Sequence, residues 1–458
     1  MINDALEFYE RALRGERIKE KAFDTEILPA KLKELTGKYE IFYNREDVVP
    51  QDLDMAKRVF QAALELLSEL GVYCTSTNST IRVEKEDIKG ALRKAPSHHI
   101  IGKGTDEMEC HSRNIGDSRM PIVIGGPNGA PISEENCINI LTSYAREPIH
   151  GLHTGALQTL FGKEVRANTP LELLVCKYEA LWAREALMRV GKPGLSILGI
   201  MSGTTSEAQN GADFEGGLRP SDIHLVVFLN ELKTDWDVFK KIVHNQHQGN
   251  IIDACMGGPT IGGYCGGPEG SAITLVAEIM AAYVMARPMS FSLYPVNLFS
   301  GVSSDKWTIW MSCMGSLAFK ATGVDLMLAR YQGGAAGPCT EMLCDEIAAQ
   351  TIAHTASGYS AIYGPVGSYM NKTDYFTGME ARILCEISRA TAGMSLGDAN
   401  EIAKALNAGY EEAIMNKKAP EGRSFLECYD VKKLAPSTEY LGLWENKKEE
   451  LAKMGLEF

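Results

Sequence analysis

The sequence lacks the patterns that mark disulfide-rich, zinc-ribbon and membrane-spanning proteins. Its 11 cysteines are odd in number and scattered, and no two of them form a Cys-x-x-Cys pair. Such usage is typical of a reduced interior rather than of a disulfide framework. No apolar run reaches the ~18 residues that a bilayer-spanning helix needs, and residues 1–21 hold no apolar signal core. These absences predict a soluble cytoplasmic protein.

An excess of positive charge is also missing. Lysine and arginine number 46 against 59 aspartate and glutamate residues, which gives a formal net charge of −13. A balance of this sign argues against general binding to nucleic acid or to anionic membranes. The 458 residues, 45% of them hydrophobic, are ample for a large core, either in about three domains or in one barrel with insertions.

A regular alternation is present from Pro121 onward, where apolar runs of strand length are separated by helical patterns. The eight predicted strands are 121–126, 149–156, 195–201, 223–229, 251–256, 289–293, 325–331 and 361–366. The predicted helices are 133–146, 170–190, 207–217, 236–247, 270–287, 303–321, 339–355 and 376–392. Eight successive βα units predict a closed (β/α)₈ barrel of the TIM type, with a doubly wound open sheet as the alternative.

The two flanks have a different character. Residues 1–120 predict an N-terminal α+β extension, with a helix at 52–70 that ends at Gly71, a hairpin after it and an irregular strand pair near 98–112. Residues 121–395 then form the barrel. Residues 396–458 predict C-terminal helices packed on it, at 398–416 and 438–454.

Local motifs carry little chemistry by themselves. The Gly-rich segment at 125–129 follows the first strand but lacks the P-loop lysine and the GxGxxG spacing, so it favours a tight turn over a ligand contact. The segment at 261–267 is similar and favours a flexible loop, with space for a planar ligand or a partner as the alternative.

Histidine and cysteine patterns do not predict a metal ion or a nucleophile. His150 and His153, like His244 and His247, are three residues apart, but neither pair has a third ligand nearby. The first pair also lies in a predicted strand, where such residues point to opposite faces. Cys339 begins a helix, which lowers a thiol pKa in some proteins, but burial is the simpler interpretation.

Longer blocks of sequence resemble the archaeal monomethylamine:corrinoid methyltransferases. These blocks, in order, are GGPNGAPISE at 125–134, NELK at 230–233, GGYCGG at 262–267, AGPCTEM at 336–342, TASG at 355–358, TGMEAR at 377–382, ATAG at 390–393 and FLECYDV at 425–431. The similarity extends over nearly the whole chain. It implies a TIM-type barrel that assembles as a homohexamer and moves a methyl group to the Co(I) of a separate corrinoid protein. The corrinoid belongs to that partner, so the chain itself holds no cofactor.

The resemblance also implies catalytic positions. Aligning the segment 191–194 with the family places Leu198 where the family has a pyrrolysine whose imine is thought to bind the amine. Counting back from the GGY motif places Met256 where the family has an acidic residue. Counting back from AGPCTEM places Tyr331 at a family glutamine, with Gln332 next to it.

Further positions are expected around the carboxyl face of such a barrel, where its loops carry the active site. Glu231, Tyr264 and Glu341 are expected to contact the substrate together with Gln332. The glycines of the GGYCGG block are expected to contact the corrinoid partner; they are Gly262, Gly263, Gly266 and Gly267.

Leucine at position 198 limits the chemistry, because its side chain can neither capture an amine nor donate a proton. An apolar pocket wall favours a methyl donor that is already activated, such as a quaternary ammonium, an N-methylated heteroaromatic or a sulfonium. Two alternatives stay open at this point. In the first, the chain is a non-catalytic relative that docks a corrinoid protein. In the second, it is a barrel enzyme whose chemistry needs no corrinoid.

Overall fold

Eight parallel strands close into a barrel in the computed structural model, which describes residues 2–458. The strands are β1 Ile122–Gly125, β2 Gly151–His153, β3 Ser196–Leu198, β4 Ile223–Phe228, β5 Ile251–Met256, β6 Ser290–Leu293, β7 Leu328–Gly333 and β8 Ala361–Val366. Each pairs with its neighbours in chain order, and β8 pairs with β1 to close the ring. The predicted (β/α)₈ barrel is therefore confirmed and the open sheet excluded.

A helix follows every strand. The helices are α1 Cys137–Ala145, α2 Pro170–Arg189, α3 Ser206–Asn210, α4 Trp236–Gln248, α5 Pro268–Ala286, α6 Lys306–Ala321, α7 Glu341–Ala356 and α8 Gly378–Thr391. Only α3 departs clearly from the expected length, since it ends at Asn210 rather than near residue 217. Gly211 caps it, and the turns at 211–218, which include Gly216 with a φ of 92°, are incompatible with a helix.

Strand parity decides which side chains enter the barrel. Every residue of β5 is buried, yet Cys255 lies in the interior cluster while Ala254 and Met256 pack in the outer layer. Successive side chains of a strand point to opposite faces, so the two layers share one strand without mixing. On β7, Tyr331 enters the interior by the same rule.

The N-terminal extension has its own elements. Its helices are Ile2–Arg14, Glu20–Ala22, the π-helical turn Phe23–Ile27, Leu28–Lys38, Leu53–Leu70 and Lys85–Lys94, with a 3₁₀ turn at Gly104–Asp106. Strands Val72–Cys74 and Ser79–Ile81 form the predicted hairpin, and Lys233–Thr234 from the loop after β4 joins it as a third strand.

The second hairpin of the extension closes the amino end of the barrel. It consists of His98–Ile101 and Met108–His111, paired antiparallel. Ile101 and Cys110 project from it into the interior cluster. We call this segment the floor hairpin. The extension therefore supplies part of the barrel's core without supplying a barrel strand.

Helix α5 has 19 residues and, although it contains Glu269 and Glu278, is long and apolar enough by length and composition alone to cross a membrane. Glu278 interrupts the apolar run, in agreement with the prediction that no uninterrupted run reaches ~18 residues. In the structure 94% of its most apolar window is buried, and it packs against the helix Leu53–Leu70. Its composition is that of a core helix between barrel and extension.

The C-terminal segment covers α7 and α8. Its helices are Leu396–Met415, Phe425–Cys428 and Thr438–Lys453. Short paired strands complete the chain, at Pro131–Ile132 with Ala156–Leu157, at Thr159–Leu160 with Lys163–Glu164, and at Tyr429–Asp430 with Ala435–Pro436. Tyr440 and Trp444 anchor the last helix through hydrogen bonds to Glu380 and Glu386 of α8.

Candidate active site at the carboxyl end of the barrel

Leu198 is the last residue of β3, and its side chain is fully buried in the interior cluster. The same cluster contains Cys255, Tyr331 and Tyr363. The chain leaves the strand through Gly199, whose φ is 63° and whose place leaves no room for a side chain, since a Cβ there would lie 2.4 Å from Leu225 Cδ1. The position expected from the resemblance thus lies inside the barrel.

The loop after Leu198 is held by carboxylates of α2. Glu179 accepts hydrogen bonds from the amides of Met201 at 2.7 Å and Ser202 at 2.8 Å. Glu172, two helical turns earlier, accepts from the amide of Thr204 at 2.7 Å. Glu179 is fully buried, and burial raises its pKa. These hydrogen bonds tie the backbone of the loop after Leu198 to helix α2.

Other loops at this end are fixed in the same way. Glu278 of α5 accepts from the amide of Glu231 at 2.8 Å, after β4. Glu346 of α7 accepts from the amides of Ala335 and Ala336 at 2.7 and 2.9 Å, after β7. Burial raises the pKa of Glu346 to about 7. At the carboxyl face, carboxylates of the outer helices therefore hold the loops through hydrogen bonds from backbone amides.

Aromatic rings gather around Tyr331. Its ring centroid lies 5.0 Å from that of Tyr363 and 6.3 Å from that of Tyr294, both edge-on. Its hydroxyl lies 3.0 Å from Nε2 of His153, the residue paired with Leu198 on β2. Edge-to-face contact is one of the arrangements that aromatic pairs prefer.

His153 is neutral and has a defined tautomer. Burial lowers its pKa to about 4. Its Nδ1 lies 3.0 Å from the carbonyl oxygen of Thr154, which can only accept, so Nδ1 carries the proton and donates it. Nε2 is left to accept from the Tyr331 hydroxyl. The Tyr331 hydroxyl therefore donates its hydrogen bond to His153.

A carboxyl group lies within the barrel as well. Asp253 of β5 is fully buried and accepts hydrogen bonds from the hydroxyl of Ser290, at 2.5 Å, and from that of Ser292. Burial raises its pKa to about 7. A negative charge or a proton is therefore available here near neutral pH.

Asn128 follows β1 and has no hydrogen-bond partner for its side chain within the described chain. It is 4% exposed, has a left-handed φ of 51°, and neither its Oδ1 nor its Nδ2 is bonded. It lies against Gly364 of β8, where a Cβ would be 2.3 Å from Nδ2. A buried amide without partners is costly and marks a place where a ligand can bond.

The predicted catalytic positions divide between two layers. Leu198 and Tyr331 come together in the interior. Met256 packs in the outer layer, whereas its neighbour Cys255 lies in the interior cluster, so the structure does not place the Met256 side chain beside Leu198. Gln332 also points outward, where its Nε2 donates to Oγ1 of Thr351 on α7 at 3.1 Å.

The structure does not bring the predicted substrate contacts together with Leu198. Glu231 is buried against the loop after β5, where it accepts from the amide of Thr260 at 3.2 Å, and burial raises its pKa. Tyr264 is 44% exposed, with Lys233 Nζ 6.0 Å from its ring centroid. Glu341 is the exposed first residue of α7.

The GGYCGG block forms a turn closed on itself. The amide of Gly262 donates to the carbonyl of Gly266 at 2.8 Å, and that of Gly266 donates to Gly263 at 3.1 Å. A Cβ on Gly262, whose φ is 84°, would lie 2.7 Å from the ring of Phe299. Gly267 caps the start of α5. The block is thus a rigid turn on the rim of the barrel.

The histidine pairs and Cys339 have ordinary roles. His150 Nδ1 accepts from the amide of Val123 at 2.9 Å, while His153 faces the interior, as strand parity requires. His244 Nε2 bonds to Asp213 at 2.8 Å. Burial raises the pKa of the Cys339 thiol, which removes any basis for an activated nucleophile.

Comparison with known proteins settles the family. The family Monomethylamine methyltransferase MtmB matches residues 3–456. The chain belongs to the monomethylamine methyltransferase family. The monomethylamine methyltransferase MtmB1 of Methanosarcina acetivorans is 36% identical over 99% of this chain and 98% of its own length, and the Methanosarcina mazei enzyme is 35% identical over the same shares.

Solved structures of the family agree with this assignment. The crystal structure of the Methanosarcina barkeri monomethylamine methyltransferase superimposes with a TM-score of 0.96 at 33% identity, covering 99% of this chain and 98% of that one. A hydroxylamine complex of MtmB matches with the same TM-score. The chain is therefore a methyltransferase of this family, built on the family's full-length fold.

Proposed function

We propose that this methyltransferase moves a methyl group from a small, pre-activated cationic donor to the Co(I) of a separate corrinoid protein. The observation that carries the proposal is the apolar Leu198 within a cluster of aromatic rings at the carboxyl end of the barrel. The donor class is a quaternary ammonium, an N-methylated heteroaromatic or a sulfonium cation. This is narrower than the family assignment, which fixes the reaction type only.

The leaving group decides the donor class. A methyl group that transfers to an electron-rich acceptor leaves the electron pair of its old bond on the donor's nitrogen. From a quaternary cation the departing molecule is a neutral amine, which needs no proton. From monomethylamine it is an amide anion unless a group activates the nitrogen, and the leucine side chain offers no such group. A positioned acid or base commonly contributes ~10²–10⁴-fold in rate, so its absence is costly for an unactivated donor.

The surroundings of Leu198 suit a cation without N–H groups. The faces of Tyr331, Tyr363 and Tyr294 attract such a cation by ~0.5–2 kcal/mol, and its methyl groups need no hydrogen bonds. Asp253, deeper in the barrel, supplies negative charge when ionised. The unpartnered Asn128 amide is suited to orient a polar substituent of the donor.

Partner docking is assigned to the rim. The exposed side chains are Tyr264, which lies within the glycine turn, and Phe299, which packs against Gly262 of that turn. An apolar, exposed rim of this kind suits a corrinoid protein that must deliver its cobalt over the barrel mouth. Assembly as a homohexamer and a cytoplasmic location stay predictions. Sedimentation at micromolar concentration tests the first, and a monomer there contradicts it.

The decisive experiment mixes the purified protein with its cognate corrinoid protein, reduced to Co(I), and one donor at a time. Tetramethylammonium, N-methylpyridinium, trimethylsulfonium and monomethylamine form the panel, and the absorbance of the methylated corrinoid is the readout. We expect transfer from at least one pre-activated cation and none from monomethylamine. Robust transfer from monomethylamine contradicts the proposal, as does tight partner binding without transfer from any donor.

Two variants locate the binding site. Tyr331→Leu is expected to raise KM for the active donor, whereas Tyr331→Phe keeps the ring and is expected to retain most of the affinity. Asn128→Ala tests the orienting role in the same assay. Tyr178→Phe, on the outer helix α2, is the matched control and is expected to leave both constants unchanged.

A further inference from the structure

We propose that the floor hairpin carries a binding site for a divalent transition-metal ion, formed by His98, Glu109 and His111. The site lies at the amino end of the barrel, away from the loops that carry the proposed active site. Zn²⁺ is the ion class that this ligand set favours. The proposal is independent of the methyl donor and of the corrinoid partner.

The hairpin register brings the three side chains onto one face. His98 and His111 are directly paired across the two strands, and Glu109 lies two residues before His111 on the same strand. Residues two apart on a strand share a face, so all three point the same way. The opposite face carries Ile101 and Cys110, which are buried in the barrel.

The distances suit a common ligand. The imidazole centroids of His98 and His111 are 4.8 Å apart. Glu109 Oε2 lies 3.2 Å from Nε2 of His111, and Oε1 lies 3.9 Å from Nε2 of His98. One potential ligand atom from each residue lies within 4.8 Å of the other two. Of the groups of three such residues in the described chain, this is the one that meets that limit.

The donor atoms fit zinc. Two imidazole nitrogens and one carboxylate oxygen are a known set for Zn²⁺ with a fourth position open to water, at metal–nitrogen distances of about 2.0–2.1 Å. Ligand atoms bound to one tetrahedral ion lie closer together than those seen here. The three side chains are 37–64% exposed, so small rotamer changes bring them in.

Metal binding here acts on the barrel floor. The ion bridges the two strands of the hairpin, and that hairpin positions Ile101 and Cys110 in the interior cluster. A ligand that binds only the folded hairpin stabilises the fold by mass action. The site is thus a structural clip, and its occupancy is expected to change stability rather than donor choice.

The test uses the full-length protein stripped with a chelator and titrated with ZnCl₂ in a calorimeter. We expect one equivalent bound and a rise in Tm on zinc addition. His111→Ala and His98→Ala are each expected to weaken binding by about tenfold or more, because a ligand is lost, and to abolish the rise in Tm. Co²⁺ in place of Zn²⁺ gives a visible spectrum that reports a four-coordinate site with histidine ligands.

Two matched controls keep the result interpretable. His99→Ala changes the same hairpin on its other face, and His244→Ala removes a histidine that already pairs with Asp213. Both are expected to bind zinc like the parent. Circular dichroism confirms the fold of each variant before titration. Unchanged binding in His98→Ala and His111→Ala, or an equal loss in His244→Ala, overturns the proposal.

Discussion

The two ends of the barrel interior are built on different principles. The amino end is closed by apolar side chains, among them Ile101 of the floor hairpin, Met289 and Met327. The carboxyl end holds buried polar groups, including Asn128, whose side chain has no hydrogen-bond partner among the described residues, and the neutral His153. The apolar amino end stabilises the fold. The buried polar groups of the carboxyl end destabilise it, but they leave atoms with which a ligand can bond. Function is thus expected to depend on one end and folding on the other.

The largest effect is expected where charge enters the carboxyl end. Leu198→Glu places an unpaired carboxylate in a fully buried apolar position, so we expect loss of transfer from the active donor by ~100-fold or more and a less stable protein. Leu198→Met, of similar volume, is the control and is expected to cost less than ~1.5 kcal/mol. New activity on monomethylamine in Leu198→Glu is the result that would contradict the reading of this position.

The next effect breaks the apolar floor. Ile101→Ala removes a fully buried side chain and is expected to lower the free energy of unfolding by ~2–5 kcal/mol, with the donor preference unchanged. Ile100→Ala alters the neighbouring residue on the exposed face, and we expect a change within ~0.5 kcal/mol. Urea unfolding measures both. A shift in donor preference on floor repacking would show that the two ends are not separate.

A smaller loss is expected from unclamping a loop. Glu179→Ala leaves the partly buried amides of Met201 and Ser202 without this acceptor, at about 1–3 kcal/mol. It also frees the loop that follows Leu198, so turnover is expected to fall more than stability alone predicts. Glu185→Ala, exposed on the same helix and paired only with Arg189, is expected to change stability by less than ~1 kcal/mol. Equal effects of the two substitutions would contradict a role of Glu179 in holding the loop after Leu198.

The smallest effect is a pH dependence that originates in the barrel. The pKa of Asp253 is about 7 in the fold against 3.8 for an ordinary aspartate, so the folded protein holds a proton that the unfolded chain has lost. Its contribution is full below about pH 4 and is lost as the pH rises through about 7. Asp253→Asn is expected to flatten the fall in stability between pH 5 and pH 8 by ~1–3 kcal/mol.

His150 and His153 act in the opposite direction, since burial lowers the pKa of each to about 4 and their contribution is lost as the pH falls through that value. They are common to both proteins, so the difference between parent and variant isolates Asp253. Asp54→Asn, on an aspartate whose side chain is 80% exposed, serves as the control. An unchanged slope in Asp253→Asn would mean that the carboxyl is ionised throughout.

Features that depend on residues close together in the sequence could be predicted, whereas features that depend on distant residues could not. The eight strands are local patterns, and all eight were found. The position of Leu198 at the end of a strand is also a local feature of the sequence. The outward direction of Met256 could not be read from a count along the chain, because such a count does not fix which face of β5 a residue occupies. The pair His98 and His111 is 13 positions apart and meets only through the hairpin register, which the sequence pattern does not specify.

Asn128 shows another limit. The sequence pattern predicts a turn at this segment. It does not predict that the Asn128 side chain lacks hydrogen-bond partners among the described residues, because Asn128 packs against Gly364 of β8, more than two hundred residues later. The clamping glutamates were missed for the same reason, since each reads as an ordinary helix residue until the loop it holds is known. Buried polar groups acquire meaning from distant neighbours.

The third strand of the extension's sheet has a consequence for how the chain folds. Lys233–Thr234 pairs with Tyr73 and Cys74, about 160 positions earlier, and Asn400 accepts hydrogen bonds from the amides of Val48 and Val49. During synthesis, backbone hydrogen bonds of the first 74 residues are therefore completed only after the fourth βα unit and the penultimate long helix have been made. Contacts of such sequence separation slow folding and leave partly formed chains exposed to aggregation. A nascent chain that stops before residue 233 is expected to occupy chaperones rather than to fold.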